Sequence, residues 1–198
     1  MYILFFICPM ELQQAFIFFK NLHNKQTYSD WSPYRPHLLR VGNILEYYLN
    51  LFWEWSKEMY TTIIIAWYGH DSMEDTNITT TELEKEFGTD VTKLIFWMTN
   101  EENDSHTDNY VQKVANSSEE IRLIKLADIC DNYQWMIYKA NNKEIVTFFK
   151  EKIIPIIEPM YQKIITTSFS LYPKTSEILL SDAKKYHDLI LKSLNTII

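Results

Sequence analysis

The stretch Ile63-Ile64-Ile65-Ala66-Trp67-Tyr68-Gly69-His70-Asp71-Ser72-Met73-Glu74-Asp75-Thr76 runs from an unbroken apolar segment straight into a knot of imidazole and carboxylates. A segment that is apolar all round belongs at the centre of a fold. The isoleucines would suit a strand, but the length of the run and its lack of alternation predict a helix over about Lys57 to Met73. On such a helix Glu74 lies one turn beyond His70, and Asp75 one turn beyond Asp71. Three carboxylates and an imidazole at the end of a buried helix repel each other and resist losing water. A divalent cation would offset both costs; the plain alternative is a solvated helix end. Imidazole with carboxylate oxygen suits Mn²⁺, Fe²⁺ or Zn²⁺, and Mg²⁺ less well.

Working outward, every neighbouring segment reads as helix or loop. Upstream, a helix from about Pro9 to Asn24 carries Leu12, Ala15, Phe16 and Phe19 at helical spacing. Thr27 to Pro36 is a loop, and a second helix starts near Pro36 with His37, Val41, Ile44, Leu45 and Tyr48 along one face. Downstream, Thr79 and Glu82 have capping-box spacing, Gly88 suits the end of a short helix, and another helix covers Val91 to Met98. Asn100 to Asn109 is a polar, acidic loop. Further helices are expected over Ser118 to Ala140, over Glu144 to Thr166 with a kink at Pro155, and over Ser181 to Thr196. The expected fold class is therefore all-α, a single helical bundle over residues 1–198. Its motif-bearing core is about 12–150, with extra C-terminal helices over 151–198.

Composition narrows the function classes. With 46% apolar residues but only 3 Gly and 6 Pro, helices are favoured over a sandwich or barrel. A formal charge of -7 leaves no basic field for a nucleic-acid backbone, so no nucleic-acid partner is expected. A small phosphate ester stays open, because a bound cation reverses the local sign. Cys8 and Cys130 form no CxxC pair, which makes a reducing cytoplasm the simplest compartment. Residues 2–7 are apolar but too short to span a bilayer and lack the basic start of a secretory signal. They are expected to pack on the domain or to be upstream sequence without structure, and no membrane partner is expected.

Two further pieces complete the chemistry: His37, and Ile124-Lys125-Leu126-Ala127-Asp128-Ile129-Cys130-Asp131-Asn132. Alone, His37 reads as a packed histidine on an amphipathic helix, and Asp128 as a helix carboxylate paired with Lys125. Together, His37, His70-Asp71 and Asp128 reproduce the H…HD…D order of HD-domain phosphohydrolases. The sequence is most similar to the hydrolase domain of RelA/SpoT enzymes and to small stand-alone alarmone hydrolases of the metazoan SpoT type. The family's HDxxEDT appears as His70 to Thr76. Its T-x-x-E-L-x-x-x-F-G appears as Thr79, Glu82, Leu83, Phe87 and Gly88, and its I-K-L-A-D-x-x-x-N as Ile124 through Asn132. Upstream, H-x-x-x-V-x-x-I-L appears as His37, Val41, Ile44 and Leu45, preceded by H-x-x-Q as His23 and Gln26. The resemblance covers about residues 12–150.

The resemblance implies one metal ion, Mn²⁺, held by His37, His70, Asp71 and Asp128, with positions left for water and a phosphate oxygen. It implies that Glu74 and Asp75 orient or deprotonate the attacking water. It places Asn132 near the nucleoside and, by a looser alignment, Lys143 near the phosphates. Tyr28 and His23 are further candidates for contact with substrate, and His106 lies in the polar loop. The implied reaction removes the 3′-pyrophosphate from ppGpp, pppGpp or the adenosine counterpart. The implied partner is thus a small-molecule nucleotide. The chain is expected to be a hydrolase only, without the synthetase and regulatory regions of full-length RelA/SpoT proteins.

Three departures bear on the substrate. Where the family has arginine two residues after the H-x-x-Q glutamine, this chain has Tyr28. Where the family has Lys and Arg after its VT pair, this chain has the acidic run Met98 to His106. Each lost charge-assisted contact weakens phosphate binding by about 1.5–3 kcal/mol. The connection between His37 and His70 is also longer, by about Leu51 to Lys57. Its Phe52, Trp53 and Trp55 read either as core or as a subunit contact, which leaves a homo-oligomer open. A phosphohydrolase of another nucleotide or small phosphate ester is therefore the alternative, ahead of a non-catalytic metal- or nucleotide-binding module. A di-iron oxygenase would need further histidines at a spacing the chain lacks.

Overall fold

The computed structural model describes residues 9–28, 32–100 and 107–196. The apolar and acidic stretches at 2–7 and 101–106, the latter with His106, lie outside the described residues. Ten α-helices account for most of the remainder: α1 (Pro9–Leu22), α2 (Arg35–Phe52), α3 (Lys57–Tyr68), α4 (Ser72–Asp75), α5 (Thr80–Met98), α6 (Thr107–Ala115), α7 (Glu119–Lys139), α8 (Lys143–Phe148), α9 (Ile154–Ile164) and α10 (Pro173–Thr196). Among the described residues there is no strand, only an isolated bridge between Thr27 and Pro33. No described helix is long and apolar enough to cross a membrane. The all-α expectation is borne out.

Two helices organise the core. As expected, α3 is buried along Ile63-Ile64-Ile65-Ala66-Trp67, packed against α1, α2, α5 and α7, and the Trp67 indole donates to the Leu38 carbonyl at 3.0 Å. The more central element is α7, which touches α2, α3, α5, α6, α8, α9 and α10. It buries Leu123, Ile124, Leu126, Ala127, Ile129, Tyr133 and Met136 completely. Burial on every side explains why its apolar residues follow no single stripe.

The helix expected from Lys57 to Met73 stops five residues early. Gly69 ends α3, and α4 begins only at Ser72. The cause is a close approach: a Cβ on Gly69 would lie 2.6 Å from Phe19 of α1 and from Ile95 of α5. The buried Ser72 hydroxyl then donates to the Gly69 carbonyl at 2.7 Å, satisfying an acceptor that the helix would otherwise have used. His70 and Asp71 thus occupy a break between helices rather than a helix face.

Other boundaries follow local chemistry. Thr79 and Glu82 form the reciprocal capping box of α5, and Gly88, at φ 81°, joins two helical pieces within it. The single helix expected over Glu144 to Thr166 is instead α8, a π-helical turn over Phe149–Ile153, and α9. Pro155, which has no N–H to donate, sits in the first turn of α9, where that loss costs least. The last helix starts at Pro173, not Ser181, because a distant carboxylate caps it: Glu54 accepts from the backbone of Lys174 at 3.0 Å and Thr175 at 2.8 Å. In the inserted connection, Trp55 is half-buried against Tyr60 while Trp53, in the left-handed region at φ 57°, is exposed and stacks on Trp55.

Gly69→Ala should destabilise the protein by about 1–3 kcal/mol, because an added methyl must displace Phe19 and Ile95. A lower urea midpoint with unchanged slope would show it; an unchanged midpoint would contradict it. A second expectation concerns Glu119, whose carboxylate accepts from Ser170, Leu171 and Tyr172. Burial works against its charge, yet these bonds hold its carboxyl below the ordinary range. A depressed folded-state pKa stabilises above the unfolded value of about 4.3 and is lost as pH falls through the lower one. Glu119→Gln should therefore lower stability at pH 7, with a deficit that closes in acid. A deficit that persists below both pKa values would contradict this.

Candidate metal centre

Four side chains from three parts of the chain converge on one point. His37 comes from the first turn of α2, His70 and Asp71 from the break after α3, and Asp128 from the middle of α7. The Nε2 atoms of His37 and His70 are 3.3 Å apart. Asp71 Oδ2 lies 2.9 Å from His70 Nε2 and 3.9 Å from His37 Nε2. Asp128 Oδ1 lies 3.3 Å and 3.8 Å from the same two nitrogens. Ligand atoms each about 2.1 Å from one ion stand roughly 3–4 Å from one another. The distances about the two imidazole nitrogens fall in that range, and His37, His70 and Asp71 together could hold an ion.

The rings are set to offer lone pairs inward. His70 Nδ1 lies 2.9 Å from the Trp67 carbonyl, which can only accept, so Nδ1 carries the proton. The His70 ring stacks on Trp67 with centroids 4.4 Å apart. His37 Nδ1 faces Asp131 Oδ2 at 2.8 Å. Two inward imidazole nitrogens and two carboxylates place acceptor against acceptor unless positive charge lies among them. Without an ion that charge must be a proton. Burial pulls the His37 imidazolium down, but hydrogen bonds and charge from Asp128 and Asp131 lift it to about 10. A divalent cation meets the same demand, so the residues present fit one.

Neighbours hold the carboxylates in place. The buried Tyr34 hydroxyl donates to Asp71 Oδ2. Asn132 donates to Asp128 Oδ1 at 2.8 Å. Lys125, itself buried, puts Nζ 3.4 Å from Asp128 Oδ2 and 3.9 Å from Asp71 Oδ1. Burial opposes its charge, but Tyr110, Asp128, Asp71 and Glu74 keep the ammonium protonated. Gln26 donates to Asp75 Oδ2 at 2.7 Å, and the Asn100 backbone N–H donates to Glu74. Removal from water in the cavity pushes both acidic carboxyls above the ordinary range. Both residues are exposed overall, so water at the mouth moderates that rise.

The cluster opens into a cavity of about 470 Å³. One end is polar, formed by Asp71, Glu74, Asp75, Asp128 and Lys125; the other is an apolar wall of Phe148, Ile153, Ile156, Ile157 and Met160. Tyr28 and Asn132, both singled out from the sequence, line it. Tyr28 stacks on Trp135 at 4.6 Å. Two further candidates lie off this lining. Lys143 is exposed at the start of α8 and borders a separate groove with Tyr138 and Lys139; only the far end of α8, Phe148, reaches the cavity. His23 is buried behind the wall, bonded to Gln26 and packed on Tyr34, so it supports the cavity without lining it.

Sequence reasoning missed Tyr34 and Asp131 and weighed Lys125 only as a partner for Asp128. One signal was available: Lys125, Asp128 and Asp131 recur every third residue through the apolar middle of the helix, a charged strip that a buried segment would not carry without a purpose. For Tyr34 no local pattern existed, since its partner lies 37 residues away.

The fold and the site define an all-α helical bundle with a buried histidine–carboxylate cluster that could hold a metal ion. Comparison with known proteins agrees. The chain is 29% identical over 154 residues to guanosine-3′,5′-bis(diphosphate) 3′-pyrophosphohydrolase of Aquifex aeolicus (strain VF5), covering 74% of this chain and 21% of that protein. It therefore spans about a fifth of the length of that curated relative. Among solved structures, a metazoan orthologue of SpoT that hydrolyses ppGpp and plays a role in starvation responses superposes with a TM-score of 0.65. The match has 21% identity and covers 90% of this chain and 96% of the other. No protein-family profile matches. The resemblance read from the motifs is thus matched in sequence and in fold.

Mn²⁺ at about 100 times its dissociation constant should stabilise the protein by about 2.7 kcal/mol, seen as a rise in Tm. A chelator should reverse the rise, and Asp128→Ala should not show it. A folded wild-type protein whose Tm ignores every divalent cation would count against the centre.

Proposed function

We propose that the chain is a metal-dependent phosphohydrolase that removes the 3′-pyrophosphate from guanosine or adenosine alarmones such as (p)ppGpp. The observation that carries this reading is the convergence of His37, His70, Asp71 and Asp128 beside Glu74 and Asp75, in a fold shared with a ppGpp hydrolase. The ion would be Mn²⁺, held by those four ligands. When bound, it supplies Lewis-acid charge and lowers the pKa of a coordinated water.

The chain's own residues do the rest. Glu74 and Asp75 line the cavity beside the cluster, where they would meet a water aimed at the phosphorus on the 3′-oxygen. One of them takes the proton as the water attacks, and Gln26 steadies Asp75 for that role. The phosphorus–O3′ bond breaks as that proton passes on to O3′, leaving the nucleoside 5′-di- or triphosphate with a free 3′-hydroxyl, and pyrophosphate. Lys125 sets an ammonium beside the phosphoryl oxygens. The apolar wall from Phe148 to Met160 excludes water and receives the nucleobase, with Asn132 at its edge.

One observation favours a second reading, a nucleotide or phosphate ester with fewer charges. Among the described lining residues, four carboxylates face a single ammonium, and Tyr28 offers a neutral ring where the related family has arginine. Both readings meet in one experiment. Purified protein with Mn²⁺ should release pyrophosphate from ppGpp, and Asp71→Ala should lose at least a hundredfold in rate, the order expected on losing one group that stabilises the transition state. No pyrophosphate from any alarmone, with phosphate released from a nucleoside monophosphate, would replace the first reading by the second. No turnover of either would remove both.

A further inference from the structure

Asp131 stands behind the cavity, where no motif placed a functional residue. It follows Asp128 on α7, is 2% exposed and does not line the cavity. Three bonds fix its carboxylate. Oδ2 faces His37 Nδ1 at 2.8 Å. Arg40 grips both oxygens, with Nε on Oδ1 at 2.8 Å and Nη2 on Oδ2 at 2.9 Å. The same Nη2 reaches the Tyr28 hydroxyl at 3.3 Å, tying this group to the cavity wall.

A bidentate guanidinium pairs with an ionised carboxylate, which has no proton to give. The hydrogen between Asp131 and His37 therefore belongs to Nδ1, and in the neutral ring the lone pair sits on Nε2, facing His70, Asp71 and Asp128. His70 is held by a neutral carbonyl, so the two imidazoles differ: one is backed by a dipole, the other by a full negative charge. A carboxylate behind an imidazole makes it a stronger ligand and fixes its orientation. Arg40 balances the buried charge that this arrangement requires.

We infer that Asp131 is a positioning residue for metal binding, holding His37 in the Nδ1–H tautomer and strengthening its Nε2 as a ligand. The inference rests on the cavity being a divalent metal centre. If Asp131 served only to tie α2 to α7 through Arg40, its loss would lower stability and leave metal affinity alone.

Calorimetric titration of Mn²⁺ into wild type, Asp131→Ala and Asp131→Asn separates these roles, with folding followed by circular dichroism. Asp131→Ala should bind roughly 10–100-fold more weakly. Asp131→Asn, which keeps an acceptor but not the charge, should fall between it and wild type. Nitrogen-15 spectra of the wild-type histidines in Zn²⁺-loaded protein give an independent reading that needs no variant: His37 should be protonated at Nδ1 and ligated through Nε2. A folded Asp131→Ala with wild-type affinity, or a His37 unprotonated at Nδ1, overturns the inference. Wild-type protein that binds no divalent cation overturns the metal centre itself, and this inference with it.

Discussion

Four acceptors crowded into one buried point is the constraint around which the rest of the structure is arranged. Two imidazole nitrogens 3.3 Å apart, each with oxygens of two carboxylates within about 4 Å, do not coexist in a protein interior unless positive charge lies among them. Lys125 and Tyr34 supply part of the compensation, from one ammonium and one hydroxyl. A proton on His37 or a divalent cation can supply the remainder. Each ligand is then held from outside the cluster: His70 by a carbonyl and a stacked indole, His37 by Asp131, Asp71 by Tyr34, Asp128 by Asn132.

The helices take their positions from that requirement. The break at Gly69 lets α1 and α5 press against the backbone, and it turns His70 and Asp71 inward together, which a continuous helix could not do for adjacent residues about 100° apart. Central placement of α7 puts Lys125, Asp128 and Asp131 on one strip facing the other ligands. The π-helical turn before Pro155 swings Ile153 and the start of α9 over the open side of the cluster, closing the apolar half of the cavity.

The electrostatic character of the cavity separates chemistry from selectivity. Groups that would act on the reacting phosphorus sit at the polar end, while Tyr28 lies on the wall, stacked on Trp135 and linked through Arg40 to Asp131. Replacing a cation by that ring changes what the far part of a substrate meets without disturbing the ligands. Tyr28 is tied to the cluster through Arg40 and Asp131 on one side and through its packing on Tyr34 on the other.

Much of this was legible in the amino-acid sequence. The apolar run ending in His70-Asp71 and the capping box at Thr79 and Glu82 are local patterns, set by residue type and spacing, and they determined an all-helical fold; the ligand set was implied by the resemblance carried in the order of His37, His70-Asp71 and Asp128. Tertiary structure alone decided the rest, because those features depend on atoms far apart in the chain. The end of α3 at Gly69 is set by Phe19 and Ile95, and the start of α10 by Glu54. Asp131 and Tyr34 have partners 94 and 37 residues away. The exclusion of Lys143 and His23 from the cavity likewise follows from how helices pack, since composition and spacing say which groups exist but not which of them meet.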